Sequence, residues 1–386
     1  MHPLRSNRRS RPVFLAIAAV LLAPSLGAAQ TGTPSAQEVE VRLGLTPEES
    51  AALLDSMAPT DAGPVYYQLF LQLHSELEAA FHYFQGESAT AEQDAETAEL
   101  VGITRERATE ALVNAQPLIE RLVWASNLEH CDFGVMYQDG WGALLPHLGK
   151  MRAASRILRA DAWRQLESGD PDAAAARLAA IYNAARHVSR DRILISSLVG
   201  IAIAAHAHQL TEHMLEHGTL TDEGRDLIIA ALERFEADDP FNTRECIKME
   251  GAITIGWLAK EYGDKADAGA LLLELSPDPE LDPGHAANIR RLNGAAVVAE
   301  ARRLTPFYEQ ALRLWDRPDA AERLDALSAM GEVGAYGELG RLFAPALGRA
   351  REGDAKGQAQ LAETLTALQA YREPKSDAKA SPASGD

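Results

Sequence analysis

Leu145–Glu167 reads LPHLGKMRAASRILRADAWRQLE, Ser168–Asp172 reads SGDPD, and Ala173–Arg186 reads AAAARLAAIYNAAR. In the first stretch Leu148, Met151, Ile157, Leu158 and Trp163 recur at helical spacing, so one face of a long helix is apolar. Gly169-Asp170-Pro171-Asp172 then breaks the chain tightly, with a proline placed where a new helix begins. The Ala-rich run after it predicts a partner helix packed antiparallel to the first. The phrase Leu166–Ile181 is like the turn of a tetratricopeptide hairpin, although no period of about 34 residues repeats along the chain.

The rest of the sequence extends this pattern. Of 386 residues, 46% are hydrophobic and only 6% aromatic, Ala and Leu dominate, and β-branched residues are sparse. The expected fold is all-α: packed antiparallel helical hairpins in an irregular tetratricopeptide-like array. Helices are expected over Pro64–Phe84, from Thr104 to about Asn127 with a kink at Pro117, and over Ile193–His217, Asp222–Phe235 and Thr243–Tyr262. Others are expected over Ala295–Trp315, Ala320–Ala329 and Gln358–Tyr371. The organisation follows as a leader over 30–42, a main helical domain over 43–262, a linker or loop over 263–294, C-terminal helices over 295–371 and a disordered tail over 372–386. Thr46-Pro47-Glu48-Glu49 carries the capping signature of a first helix.

The first 29 residues predict export. Arg5, Arg8, Arg9 and Arg11 precede the apolar run Val13–Leu26, and Gly27, Ala28 and Ala29 supply small residues for signal-peptidase cleavage before Gln30. The run is shorter than the roughly 20 residues that span a bilayer, and Ile193–Ala205, the most apolar later stretch, reads as a core helix. The expectation is a periplasmic or secreted protein with no membrane span once the signal is removed. The formal charge is −19, and it falls to −23 without those four arginines, a balance that repels nucleic acid. Cys131 and Cys246 remain in an oxidising compartment. They either bridge or stay as two buried thiols, and the sequence leaves both open.

Asn127 through Glu250 resembles an uncharacterised family of exported, all-helical bacterial proteins. The phrases that carry the likeness are Cys131-Asp132-Phe133-Gly134, Leu144-Leu145-Pro146-His147-Leu148, Ala185-Arg186-His187-Val188 and Leu194–Ile203. Leu361–Tyr371 is similar to that family's closing segment, after which this chain departs into a polar tail. The resemblance implies a shared helical fold and brings no activity or catalytic residue with it.

Candidate sites are few. His206, His213 and His217 fall at 0°, about −20° and about +20° around a helix, and His213–His217 spells HxxEH, so the stripe suggests zinc and a hydrolase. Against this, the stripe runs back through Ile195, Val199 and Ala202, a core face, which leaves His213 and His217 at its wet end. Glu129, His130, Cys131 and Asp132 are four consecutive donor residues whose side chains diverge. Asp132-Phe133-Gly134 matches a kinase magnesium motif in letters only. Glu250, between Met249 and Gly251 on an apolar helix, reads as a buried acid with a raised pKa or as the partner of Arg244 or Arg186. There is no GxSxG, phosphate loop or dinucleotide fingerprint. The best binding surface is the loop His130–Gly142, where Asp132, Phe133, Tyr137, Asp139 and Trp141 gather among glycines. Its aromatics either line a pocket or plug the end of a helix pair. The expected function is an exported helical scaffold or binding protein for a protein or cell-envelope component, with no catalytic residues and no resident cofactor. The alternative is the zinc-dependent hydrolase.

Overall fold

Asp170 starts the central helix of the molecule. Its carboxylate accepts the N–H of Ala173 at 3.0 Å, and Pro171 fills the first turn, where a missing N–H costs nothing. The preceding helix ends on Gly169 at φ 83°, with the N–H groups of Gly169 and Asp170 returning to the carbonyls of Leu166 and Gln165. The helical hairpin expected from the sequence is therefore present. The computed structural model describes residues 57–84, 91–275 and 282–372, and the described residues from Pro59 onward belong to one compact unit. The expected signal, leader, first capping box and most of the tail lie outside the described residues.

In chain order the helices are α1 (Ala62–Phe70), α2 (Ser75–Tyr83), α3 (Ala91–Val101), α4 (Arg105–Asn114) and α5 (Gln116–Ser126). After a 3₁₀ turn over Tyr137–Gly142 come α6 (Pro146–Glu167), α7 (Pro171–Ser189), α8 (Leu194–Glu216), α9 (Asp222–Leu232) and α10 (Thr243–Tyr262). The remainder are α11 (Ala268–Leu275), α12 (Pro283–Arg290), α13 (Gly294–Arg302), α14 (Thr305–Leu314), α15 (Ala320–Glu332), the single turn α16 (Gly340–Phe343) and α17 (Leu347–Ala370). No strand occurs among the described residues, so the chain is all-α. A regular repeat does not emerge from the arrangement.

α7 is buried on nearly every side, with α5, α6, α8 and α9 around it. It carries two buried arginines, of which Arg177 is matched by Asp161 at 2.9 Å, by Glu120 and by Gln116, as burial of a charge requires. A second core gathers on α10 and α13–α15 around Phe307, Trp315 and Leu324. α17 packs against both α8 and α15, and a polar junction joins the regions. The Thr243 hydroxyl lies 2.7 Å from Ser197 Oγ and 2.8 Å from Asp354 Oδ1, linking α8, α10 and α17. α8 is long and apolar enough to cross a membrane by length and composition, yet 56% of its apolar window is buried in this packing.

Three expected helices prove to be pairs. Pro64–Phe84 is interrupted at Leu71–His74 and Thr104–Asn127 at Ala115, while Ala295–Trp315 divides at Arg303–Leu304. Pro117 does not kink one helix; it sits in the first turn of α5, where its ring is accommodated. Residues 263–294, expected as a linker or loop, carry α11 and α12, whose Ala268, Leu272 and Ile289 are buried. The closing helix begins at Leu347, eleven residues before the expected Gln358.

Candidate functional site

The site is built from the loop between α5 and α6, and one carboxylate fixes its start. Asp61 Oδ1 accepts the N–H of Gly63, capping α1, and also the N–H of Asp132, each at 2.9 Å. The His130 carbonyl accepts the N–H of Ala62 at 2.8 Å. Gly63 permits this approach, since a Cβ there would stand 1.9 Å from the Asp132 carbonyl oxygen. Asp132 turns its own carboxylate onto the N–H of Gly134, so it shapes the loop.

Phe133 is then driven inward. It stacks on His147 at 4.3 Å between ring centroids and on Tyr66 at 5.9 Å, while its carbonyl accepts from Tyr67. His147 Nε2 lies 2.6 Å from Asp191 Oδ2, which also accepts from Ser196; the Asp191 carbonyl accepts from the Cys246 thiol at 3.0 Å. Asp191 thus ties α6, α8 and α10 together. Both cysteines are free, so the possible Cys131–Cys246 bridge is not made, and burial pushes each thiol well above its ordinary range.

The second half of the loop opens outward. The Tyr137 hydroxyl accepts the N–H of Arg192, and Asp139 points to solvent. Gly140, at φ 55° and ψ −123°, turns the chain, and a Cβ there would stand 2.2 Å from Trp257 Cγ. This close approach delivers Trp141, whose indole N–H donates to Thr254 Oγ1 at 3.1 Å and whose ring meets the edge of Phe343. The two aromatics therefore have different roles: Phe133 is 4% exposed and plugs the helix ends, whereas Trp141 is 53% exposed.

Trp141 stands over a cavity of about 420 Å³. Its wall is almost entirely apolar, with Leu145 from the loop, Leu194 and Leu198 from α8, Ile253 from α10 and Ala350 from α17. Ile195 in that lining is 47% exposed, and Leu144, between the lining residues Ala143 and Leu145, is 82% exposed. Exposed apolar side chains at an apolar opening make this cavity the candidate binding surface.

Glu250 is the one ionisable side chain in that wall. Oε2 accepts the N–H of Leu194, the first residue of α8, at 3.0 Å; burial raises its pKa, and that bond partly offsets the rise. The sequence expectation of a buried, raised acid agrees with this position. The expected arginine partners do not: Arg244 reaches Asp316 at 3.0 Å, and Arg186 reaches Glu129 at 3.3 Å. Each arginine is drawn to an exposed carboxylate at the surface. Sequence reading gave no sign that Thr254, Asp191 or His147 would hold the loop.

The histidine stripe divides: His213 and His217 stay together, with ring centroids 4.0 Å apart, and His206 turns to other partners. His206 bonds Ser155 at 3.0 Å and leans on Phe81; His213 packs on Trp163 and His217; and His208 reaches Thr364. Glu129 turns to Arg186 and Arg190 while Asp132 turns to Gly134, so the run 129–132 also diverges. Among the described residues no three His, Cys, Asp or Glu side chains converge as a metal site. Comparison with known protein families, with curated proteins and with solved structures returns no match for this chain.

Proposed function

We propose that this protein is an exported helical binding protein that takes an apolar ligand in the cavity under Trp141. The observation that carries the reading is the cavity of about 420 Å³, apolar in its walls, with Trp141 and Ile195 exposed at its mouth. That volume falls within the range in which small molecules are enclosed. The surrounding helices are mutually packed, and the loop that shapes the mouth is held at Asp61 and by the close approach of Gly140 to Trp257. Export follows from residues 1–29, and the resemblance over Asn127–Glu250 belongs to the same proposal.

Two measurements test it. Titration with the apolar dye 1-anilinonaphthalene-8-sulfonate is expected to saturate at one site, and Ile195→Trp, which narrows the mouth, is expected to abolish that site. Non-saturable binding, or binding indifferent to Ile195→Trp, overturns the cavity reading. N-terminal sequencing of the exported protein is expected to begin at Gln30; a chain retaining Met1 overturns the export reading.

A further inference from the structure

We infer that the ligand of this cavity is an apolar amine, with its hydrocarbon body against Leu198 and Ile253 and its protonated nitrogen against Glu250. The inference rests on the cavity being the ligand site and adds the chemistry of the head group.

Three observations lead to it. Glu250 is the only charged side chain in the wall, which contains no Lys, Arg or His. Its Oε2 is engaged by the Leu194 N–H, while Oε1 takes no hydrogen bond among the described residues and is not sealed in the protein interior. A carboxylate in an apolar wall with half its acceptor capacity unused is stabilised most by a donor that also brings positive charge. The neighbouring groups do not supply that charge: Cys246 and Tyr308, which sense Glu250 electrostatically, are neutral thiol and phenol, each held protonated by burial. Finally, the chain carries a formal charge of −19, so its field concentrates cations and repels carboxylates and phosphates.

The geometry also sets the order of the head group and the tail. Thr254 lies one turn along α10 from Glu250, but its Oγ1 is occupied by the Trp141 N–H. Glu250 is therefore the only charged group of the cavity wall, and a ligand with one compact cationic group matches it better than one with an extended polar head. The Trp141 face adds an attraction for a cation passing the mouth.

Isothermal titration of the full chain with n-octylammonium, n-octanol and octanoate tests the inference, because the three share a tail and differ in the head. The expected result is octylammonium bound at least about tenfold more tightly than octanol, with octanoate weakest, and Glu250→Gln reducing octylammonium binding about tenfold while leaving octanol within about threefold. Equal binding of all three, a preference for octanoate, or an unchanged preference in Glu250→Gln overturns the amine inference and leaves the apolar cavity standing. Failure of all three to bind overturns both. Should Glu250→Gln not fold, the octylammonium-to-octanol ratio in the natural protein decides alone.

Discussion

The Tyr66 hydroxyl lies 3.2 Å from His187 Nδ1 inside the core, and the Nε2 of the same ring lies 2.9 Å from the Leu128 carbonyl. A carbonyl only accepts, so the proton sits on Nε2, and Nδ1 accepts from Tyr66. Burial, reinforced by the Arg186 charge, lowers the His187 pKa to about 3.

His206 behaves similarly, with burial first and Arg159 second lowering its pKa to about 4. The sign follows from linkage. Both rings are neutral in the fold and protonate near pH 6.5 when unfolded, so stability is complete above that pH and is lost as pH falls toward 4 and then 3. The buried carboxyls of Glu250 and Asp354 act in the other sense: burial holds both above the usual range, and ionising them as pH rises costs stability. His206→Gln isolates one contribution. Between about pH 7 and about pH 4, urea denaturation should show the variant losing up to about 3 kcal/mol less than the natural chain. Parallel pH profiles for the two would contradict this.

Gly140 and Gly134 both occupy positive φ, but only Gly140 is backed by a wall. Gly134→Ala should cost about 1 kcal/mol, the strain of the backbone alone. Gly140→Ala must also displace Trp257, and a loss above about 2 kcal/mol is expected. Equal losses in urea melts would show that the contact with Trp257 yields freely.

Phe133→Ala should be far more damaging to stability than Trp141→Ala. Truncation of a buried phenylalanine costs about 3–5 kcal/mol, whereas the half-exposed Trp141 should cost about 1 kcal/mol beyond its single hydrogen bond. Ligand binding should show the reverse ranking among folded variants. A large drop in Tm for Trp141→Ala with binding intact would make Trp141 a plug as well.

Asp61→Ala removes the shared acceptor of Gly63 and Asp132 and should cost about 1–3 kcal/mol. Asp61→Asn keeps an acceptor oxygen at the same reach and should recover most of that loss. If both variants are equally destabilised, the carboxylate charge at the start of α1 matters more than the paired hydrogen bonds.

The sequence made the long elements legible because their apolar spacing and end signals agree. α10 falls at Thr243–Tyr262 as expected, and the Gly169–Asp172 turn is where the glycine and proline place it. The breaks at Leu71–His74, Ala115 and Leu304 were hidden because helical spacing of apolar residues continues across them and only the backbone turns. Of the candidate site, Trp141 and Glu250 were recognisable one at a time, from an unusual loop and from an acid among apolar neighbours. Their relation was not. It depends on Thr254, 113 residues from Trp141, and on the start of α8, 56 residues from Glu250. The arginine partners expected for Glu250 failed for the same reason: charge pairing is decided by which helix faces meet.

α17 reaches across much of the fold, placing Asp354 on Thr243 and Thr364 on His208, and the Tyr371 hydroxyl just beyond it returns to the Leu220 carbonyl at 2.9 Å. It is also the last of the described helices to be made. Until it arrives, α8 and α15 both lack their closing neighbour, and neither core can be completed by local contacts alone. Synthesis order therefore delays final consolidation of both cores until α17 has been made.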